Sequence, residues 1–249
     1  MNFTVESDVG LKRTVNEDRA HVSTREDGLM LALLADGMGG HNAGEVASDM
    51  AITLFEQHFL QADEEVFATF EQKQEWLAKT VKSINTQVYD YSLLHEQCAG
   101  MGTTLIAALI DDEHFTICHI GDSRVYTFTE TFAMQVTRDH SYVNVLVDHG
   151  EISEEEAQTH PRRHVITKAI GTERKVEPTF YAFQAEKNMY ILLCSDGLTN
   201  FVDNALVYAF GQSLTVIGWV ALWNPAEFYL YNHREEKDEI NIMKRLAGA

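Results

Sequence analysis

Alternation of apolar and polar positions predicts β-strands in the first part of the chain. "NFTVESDV" alternates and predicts an opening strand. "RAHVS", the turn "REDG" and "LMLALLAD" together predict a hairpin that ends at Asp36. Because the last of these strands is almost wholly apolar, we expect it to be central and buried. The "GMGG" that follows breaks the alternation and predicts a flexible loop.

The spacing of apolar residues then becomes helical. A first helix is predicted from about Ala43 to Leu60, with one apolar face formed by Val46, Met50, Leu54 and Phe55. A second long helix is predicted from about Asp63 to His95.

Strands return after the second helix, in "TTLIAALI", "HFTICHI", "RVYTFT" and "FAMQVT". Asp111-Asp112 and Gly121-Asp122 are predicted turns between them. We interpret the charged stretch at about 140–175 as a flap over a site, followed by strands in "PTFYAFQ" and "MYILLCSD". The order of strands, helices and strands predicts an α+β fold with mostly antiparallel sheets. Without a linker rich in Pro, Gly or Ser, 1–249 is predicted to be a single domain.

Charge limits the partners of this chain. It has 249 residues, and 19 Lys and Arg against 38 Asp and Glu give a net charge of −19. Such a surface repels nucleic acid and anionic membrane, so we expect neither as a partner. It also repels phosphorylated substrates, so an enzyme for phosphates would need local cations from metals or placed arginines.

The terminus and the cysteines bear on location. "MNFTVESDVG" lacks the basic start and apolar stretch of a signal peptide, and no run of 18 apolar residues predicts a membrane span. The dispersed Cys98, Cys118 and Cys194 are interpreted as reduced core thiols. We therefore expect a cytoplasmic protein.

Candidate chemistry lies where apolar strands end. Asp36, Asp122 and Asp196 each follow such a strand. A carboxylate there must be solvated, hydrogen-bonded or metal-bound, and oxygen-only ligands suit Mg²⁺ or Mn²⁺. The alternative is that each aspartate starts a turn, as Asp-Gly routinely does.

Several motifs carry a resemblance to a known family. "SDVGLKRTVNEDR", "LLADGMGGHNAGEVAS", "GTTLIAALI", "HIGDSRVYTF", "TRDHSYVNVLVDHGEIS", "HPRRHVITKAIGT" and "LLCSDGLTN" occur in this order over residues 1 to about 204. They resemble the bacterial metal-dependent type 2C serine/threonine protein phosphatases. The resemblance implies a four-layer α-β-β-α sandwich of two antiparallel β-sheets with outer helices. It also implies a site with two metal ions, a third in bacterial members, and a mobile flap nearby.

The resemblance assigns roles to individual residues. Asp36 matches the carboxylate that bridges two Mn²⁺ or Mg²⁺ ions, and Gly37 supplies a carbonyl to one of them. Asp196 matches a ligand of the other metal. Asp122 matches the ligand of the third metal, shared with Asp196.

Further residues match positions around the metals. Glu17 and Asp18 match acidic residues that hold metal-bound waters. Arg13 matches the arginine that clamps the substrate phosphate, for which a planar guanidinium is suited. His41 matches a candidate general acid for the leaving alkoxide, although a histidine in a loop is commonly just an exposed residue.

The implied activity is hydrolysis of phosphoserine and phosphothreonine in proteins by a metal-bridged hydroxide, without a covalent enzyme intermediate. The implied partners are phosphorylated proteins and a cognate serine/threonine kinase, in a signalling role. We expect a monomer.

One rival interpretation is a cysteine-based phosphatase. "CHIGDSR" places Cys118, Gly121 and Arg124 at the Cys-x2-Gly-x2-Arg spacing of such enzymes. The context is wrong, because "VYTFT" after Arg124 predicts a strand instead of the helix that this chemistry requires.

The second rival is a catalytically impaired binding module with an incomplete metal site. The segment 205–249 diverges from the family: it lacks a clean helical stripe and the glycine pair of the family's "GGxDN" turn. Asp238 in "EKDEINIM" is the nearest candidate for the final metal ligand, and a solvated charged turn is the alternative. A frame error across about 205–233 would also explain the composition. If the segment completes the fold, "INIM" should lie beside the strand that ends at Asp196.

Overall fold

The computed structural model describes residues 2–7, 9, 14–40, 43–129, 132–186, 189–200, 202, 204, 207–208 and the backbone of 221–223. Its strands are β1 (Thr4–Glu6), β2 (Asp18–Thr24), β3 (Met30–Met38), β4 (Gly102–Thr103), β5 (Leu105–Ile110), β6 (His114–Ile120), β7 (Arg124–Phe128), β8 (Ala133–Gln135), β9 (Thr179–Gln184), β10 (Tyr190–Cys194) and β11 (Ala221–Trp223). Its α-helices are α1 (Ala43–Gln61), α2 (Phe70–Leu94), α3 (Tyr142–Asp148), α4 (Glu154–Thr159) and α5 (Asp196–Thr199).

The strands form two sheets. The first runs β2-β3-β5-β6-β9, with β4 paired to β3, and every pairing in it is antiparallel. The second runs β1-β11-β10-β7-β8. The predicted antiparallel sandwich is confirmed, except that β11 pairs parallel with both β1 and β10.

Alternation along the strands separates three apolar layers. One face of the first sheet packs on α1 and α2 through Leu31, Leu33, Leu105, Leu109, Cys118 and Ile120. Its other face meets the second sheet through Met30, Leu34, Ile106, Ile117, Val125, Ile191 and Leu193. The outer face of the second sheet packs on the segment after β10 through Tyr126, Phe128, Leu192 and Leu198. The described residues therefore follow the predicted order of helix, sheet, sheet and helix.

Helix α1 matches the predicted bounds but buries a different stripe. Its fully covered face consists of small residues and two phenylalanines, Ala43, Ala47, Ala51, Phe55 and Phe59. Val46, Met50 and Leu54, predicted as the buried face with Phe55, are only partly buried at its margin. Small side chains let the helix approach β3 closely, which brings its first turn to the end of that strand.

The second predicted helix is divided. A single 3-10 turn at Glu64–Phe67 precedes α2, which begins at Phe70. Thr69 caps α2, because its side chain accepts a hydrogen bond from the backbone N–H of Gln72 at 3.2 Å. Among the described helices, none is both long and apolar enough to cross a membrane.

Candidate metal centre

Two acidic strand residues lie side by side at one end of the first sheet. Asp18 and Asp36 are directly opposite each other in the β2–β3 ladder, so their side chains lie on the same face of the sheet. The hydroxyl of Ser195 donates to Asp18 Oδ2 at 2.8 Å, which ties the end of β10 to this pair. Asp196 follows directly as the first residue of α5. The fold thus brings carboxylates from the β2–β3 hairpin and from the end of β10 to one place.

The strand that carries Asp36 extends further than predicted. Gly37 and Met38, expected in a flexible loop, belong to β3 and pair with β4. The backbone N–H of Gly37 donates to the carbonyl of Glu17 at 3.1 Å. The regular ladder therefore fixes the carbonyl of Gly37 that the sequence assigned to a metal.

Two glycines allow close approach of the backbone at this point. A Cβ atom on Gly37 would collide with the carbonyl oxygen of Gly44 in α1. A Cβ atom on Gly44 would lie 2.9 Å from the Gly37 carbonyl oxygen and 2.6 Å from Glu17 Oε1. The carbonyl of Gly37 and the carboxylate of Glu17 thus share a narrow space that any side chain at residue 44 would fill.

Asp122 lies in the β6–β7 turn, and Thr104 connects that turn to β3. The Thr104 hydroxyl lies 2.8 Å from the hydroxyl of Ser123 and accepts from the Asp36 N–H at 2.9 Å. The Thr104 N–H donates to the Asp36 carbonyl at 2.9 Å. Gly121 has φ +106°, and a Cβ there would lie 2.5 Å from the Thr104 side chain. Asp36 and Asp122 are therefore positioned by one shared residue.

Two stacked histidines, His119 and His140, form hydrogen bonds with the same β6–β7 turn. The backbone N–H of Gly121 donates to the ring Nδ1 of His140 at 3.1 Å, and the backbone N–H of His140 donates to the Gly121 carbonyl at 2.8 Å. Nε2 of His119 donates to the Ser123 carbonyl at 2.8 Å, and the two rings lie 4.9 Å apart. Burial lowers the pKa of His119 to about 3 and that of His140 to about 4. Both rings are therefore neutral near pH 7, and the acceptor role of His140 Nδ1 requires this of His140.

The carboxylates at this end repel one another. Burial raises the pKa of Asp36 well above its usual range, and the charges of Asp18, Asp196 and Asp122 raise it further. Burial, followed by the charges of Asp196 and Asp139, raises the pKa of Asp122 to about 7. Such mutual repulsion is what a bound cation would remove.

The donor set fits a hard divalent ion. Among the described residues, no group of three or more His, Cys, Asp or Glu side chains is arranged to hold a metal by itself. Mg²⁺ does not require one, since it is usually held by one or two carboxylates together with several waters. The described donors are all oxygens, from carboxylates and the Gly37 carbonyl. We conclude that ions held partly by water are compatible with this arrangement.

Three predicted site residues, Arg13, His41 and Asp238, lie outside the described residues. The same holds for the segment 240–243, predicted to lie beside β10. In the structure β10 pairs over Leu192–Cys194 with β11 on one side and with β7 on the other. The neighbour of β10 is thus an earlier segment than predicted.

Sequence reasoning missed the residues that hold the ligands in place. Thr104, His140 and Ser195 all occur in motifs quoted for the resemblance, yet none was given a role. For Thr104 and Ser195 the signal was a polar residue directly beside a buried strand, whereas His140 lies in the loop between β8 and α3 and had no such signal. Their partners, however, are 19 to 177 residues away along the chain.

The cysteine-based alternative is wrong. Cys118 lies in the middle of β6, is fully buried, and has a pKa that burial raises. Arg124 begins β7, as the β-branched and aromatic residues after it predicted. Its guanidinium donates bidentate hydrogen bonds to the carboxylate of Asp139 at 2.8 to 3.1 Å. A buried protonated thiol cannot act as the nucleophile that this chemistry requires.

Comparison with known proteins agrees with the geometry. The family model described as Protein phosphatase 2C matches residues 11–224. The serine/threonine phosphatase stp of Listeria monocytogenes is 39% identical over 202 residues, covering 81% of this chain and 79% of its own. The crystal structure of serine/threonine phosphatase Stp1 from Staphylococcus aureus has a TM-score of 0.78 at 34% identity, covering 96% of this chain and 86% of its own. The PstP catalytic domain in complex with two manganese ions has a TM-score of 0.67 at 34% identity, covering 84% and 82%.

Proposed function

The chain belongs to the protein phosphatase 2C family, and we propose that the carboxylate centre at the end of the sandwich hydrolyses phosphoserine and phosphothreonine in proteins. Membership of this family makes the chain a protein-serine/threonine phosphatase that depends on divalent metal ions. The observation that carries the residue assignment is the gathering of Asp18, Asp122 and Asp196 around the buried Asp36, where their charges add to burial in raising the pKa of Asp36. Carboxylates that repel one another at the end of a buried sheet are a site for cations.

The ligands are proposed as follows. Asp36, the Gly37 carbonyl and Asp196 hold two Mn²⁺ or Mg²⁺ ions, with Asp238 as a further ligand. Asp122 and Asp196 hold a third. When bound, such ions acidify water and offset negative charge on phosphoryl oxygens. Glu17 and Asp18 accept hydrogen bonds from waters at the centre and so orient them.

Two residues are proposed to act on the substrate itself. Arg13 binds the phosphate through paired N–H donors, which compensates for the net charge of −19 that otherwise repels phosphate. His41 gives a proton to the departing serine or threonine oxygen, whose high pKa makes it a poor leaving group. Thr104 and the His119–His140 pair keep Asp36 and Asp122 in place and do not touch the substrate.

Metal-dependent turnover is the direct test. Hydrolysis of p-nitrophenyl phosphate and of a phosphothreonine peptide should be absent in EDTA and appear with added Mn²⁺ or Mg²⁺. Absence of turnover with every divalent ion, in folded protein, would favour the alternative of a binding module with an incomplete metal site. The divergent segment 205–249 is the reason to keep that alternative under test.

The partners are proposed from the family to which the chain belongs. Phosphorylated proteins are the substrates, and a serine/threonine kinase of the same cell is the expected antagonist in a signalling pathway. A cytoplasmic location and a monomeric state remain predictions. The location agrees with Cys98, Cys118 and Cys194, which are buried free thiols. Size-exclusion chromatography with light scattering tests the monomer.

A further inference from the structure

The segment 140–175, called the flap below, is attached to the metal centre at both of its roots. At its first root, His140 exchanges two hydrogen bonds with Gly121, next to Asp122. At its second root, Ile170 exchanges two backbone hydrogen bonds with Thr103, at 2.9 and 3.0 Å. Thr103 is paired with Gly37 in the β3–β4 ladder. The position of the flap is therefore defined relative to residues assigned to the metals.

A single side chain on α2 holds the chain just after the second root. Oδ1 of Asn85 accepts from the Gly171 N–H at 2.9 Å. Nδ2 of Asn85 donates to the carbonyls of Glu173 at 3.0 Å and Arg174 at 3.2 Å. These three bonds use both amide protons and one acceptor site of the side chain. They span 86 to 89 residues of sequence, so they are purely tertiary.

Nothing about the packing of α2 calls for an amide at this position. Asn85 is 1% exposed, on the helix face that buries Val81, Ile84 and Val88 in the core. An apolar residue would fit that face, whereas a buried amide is costly unless all its bonds are made. Gly171 has φ +84° and lies against Val88, so the turn depends on its contacts with α2. The placement of Asn85 indicates a role in holding this turn.

We propose that Asn85 is a positioning residue of the phosphatase reaction, holding the second root of the flap so that its cations face incoming phosphoproteins. The second part of the flap, 160–175, concentrates positive charge in an acidic chain: it carries Arg162, Arg163, Lys168, Arg174 and Lys175 against the single acidic residue Glu173. The protein chain around a phosphorylated residue would meet these cations, and a small phosphate ester would not reach them. The inference rests on the proposed function.

The variant Asn85→Leu tests this, because it keeps the number and branching of the side-chain heavy atoms and removes all three bonds. We expect amide hydrogen exchange at 166–174 to become roughly tenfold faster, because removing hydrogen bonds of this kind lowers the free energy of local opening by a corresponding amount. We also expect KM for a phosphothreonine peptide to rise about fivefold or more, with kcat/KM for p-nitrophenyl phosphate within about twofold. Asn85→Asp, which keeps the acceptor and loses both donations, should act in the same direction and replaces Asn85→Leu if that variant does not fold.

Leu77→Ala is the matched control, since Leu77 is a fully buried residue two turns earlier on α2. It should lower Tm by at least as much, because it leaves a cavity, yet leave flap exchange and the ratio of peptide to small-ester KM unchanged. Unchanged flap exchange in the Asn85 variants, or an equal change of the KM ratio in Leu77→Ala, overturns the proposal. Absence of turnover in the wild-type protein would count against the proposed function instead, and the exchange measurement would still decide the role of Asn85.

Discussion

Strand β6 joins two acidic turns that differ in every other respect. Asp111 precedes the strand and Asp122 follows it, about 20 Å apart by the rise of a strand. Asp111 is bonded to the ammonium group of Lys73 and accepts two backbone N–H bonds, from Glu113 and His114, at 2.8 Å. Although burial opposes it, these bonds lower the pKa of Asp111. At the other end burial and neighbouring carboxylates raise the pKa of Asp122 to about 7.

The difference separates a structural carboxylate, Asp111, from one that we propose as a functional metal ligand, Asp122. Asp111 has its cation within the fold, so its charge stabilises the native state. Asp122, in contrast, has other carboxylates as its neighbours. The repulsion between these like charges destabilises the native state unless a cation binds there. A turn aspartate is thus informative about function when its neighbours raise its pKa, and much less so when they lower it.

The largest expected effect comes from neutralising the functional end. Asp36→Asn and Asp196→Asn should each lower kcat/KM by about a thousandfold or more, because each removes charge that would hold the metals. Without metal, Tm of Asp36→Asn should not fall, since the substitution removes a repelling charge. Asp111→Asn is the matched control, with activity kept and Tm lowered. Near wild-type activity in Asp36→Asn would refute the assignment of the centre.

Removing the cation at the structural end should cost stability and leave catalysis intact. Lys73→Met leaves Asp111 without its ion pair, and urea unfolding should show a loss of about 1–2 kcal/mol. Lys79→Met is the control, since Lys79 pairs with Glu75 at 2.7 Å on the surface with both side chains more than 60% exposed. Its loss should be clearly smaller, because an ion pair in full contact with water contributes little to stability. Equal losses in the two variants would mean that the partly buried pair stabilises the fold no more than an exposed one.

A third prediction tests whether Asp238 is one of the metal ligands at the functional end. If this residue completes the centre, Asp238→Ala should raise the Mn²⁺ concentration for half-maximal activity roughly tenfold, because the site loses an anionic ligand. Activity at saturating Mn²⁺ should change little. Glu236→Ala, in the same charged stretch, is the control and should leave the metal requirement unchanged. An identical metal titration for both variants would place Asp238 among the solvated charges.

The smallest effect is expected in the middle of the same strand. Cys118→Ser should retain activity within about twofold, because the thiol is buried and protonated and contacts no substrate. EDTA should still abolish turnover. Circular dichroism must accompany the assay, since a hydroxyl in an apolar layer can destabilise the fold. An inactive, folded variant together with turnover that resists EDTA would reverse the choice between the two phosphatase chemistries.

Much of the architecture could be predicted from local pattern. The β2–β3 hairpin, the central burial of β3 and the bounds of α1 followed from periodicity, which is a property of neighbouring residues. The buried face of α1 could not be predicted from hydrophobicity alone. Ala47 and Ala51 are buried there because they are small enough for close packing, whereas the larger Val46 and Leu54 remain at the margin.

The sequence by itself determined the family resemblance and the identity of the acidic candidates, since motifs and residue types are read directly from the order of the chain. It also argued against the cysteine chemistry, because the residues after Arg124 predict a strand, which the structure confirms as β7. Only the tertiary structure decided which aspartates repel one another and which is neutralised, because Asp36, Asp122 and Asp196 come from different parts of the chain. It also revealed the contacts of Thr104 and Asn85. Their hydrogen bonds reach residues 19 to 89 positions away, a distance at which sequence pattern carries no information about contact.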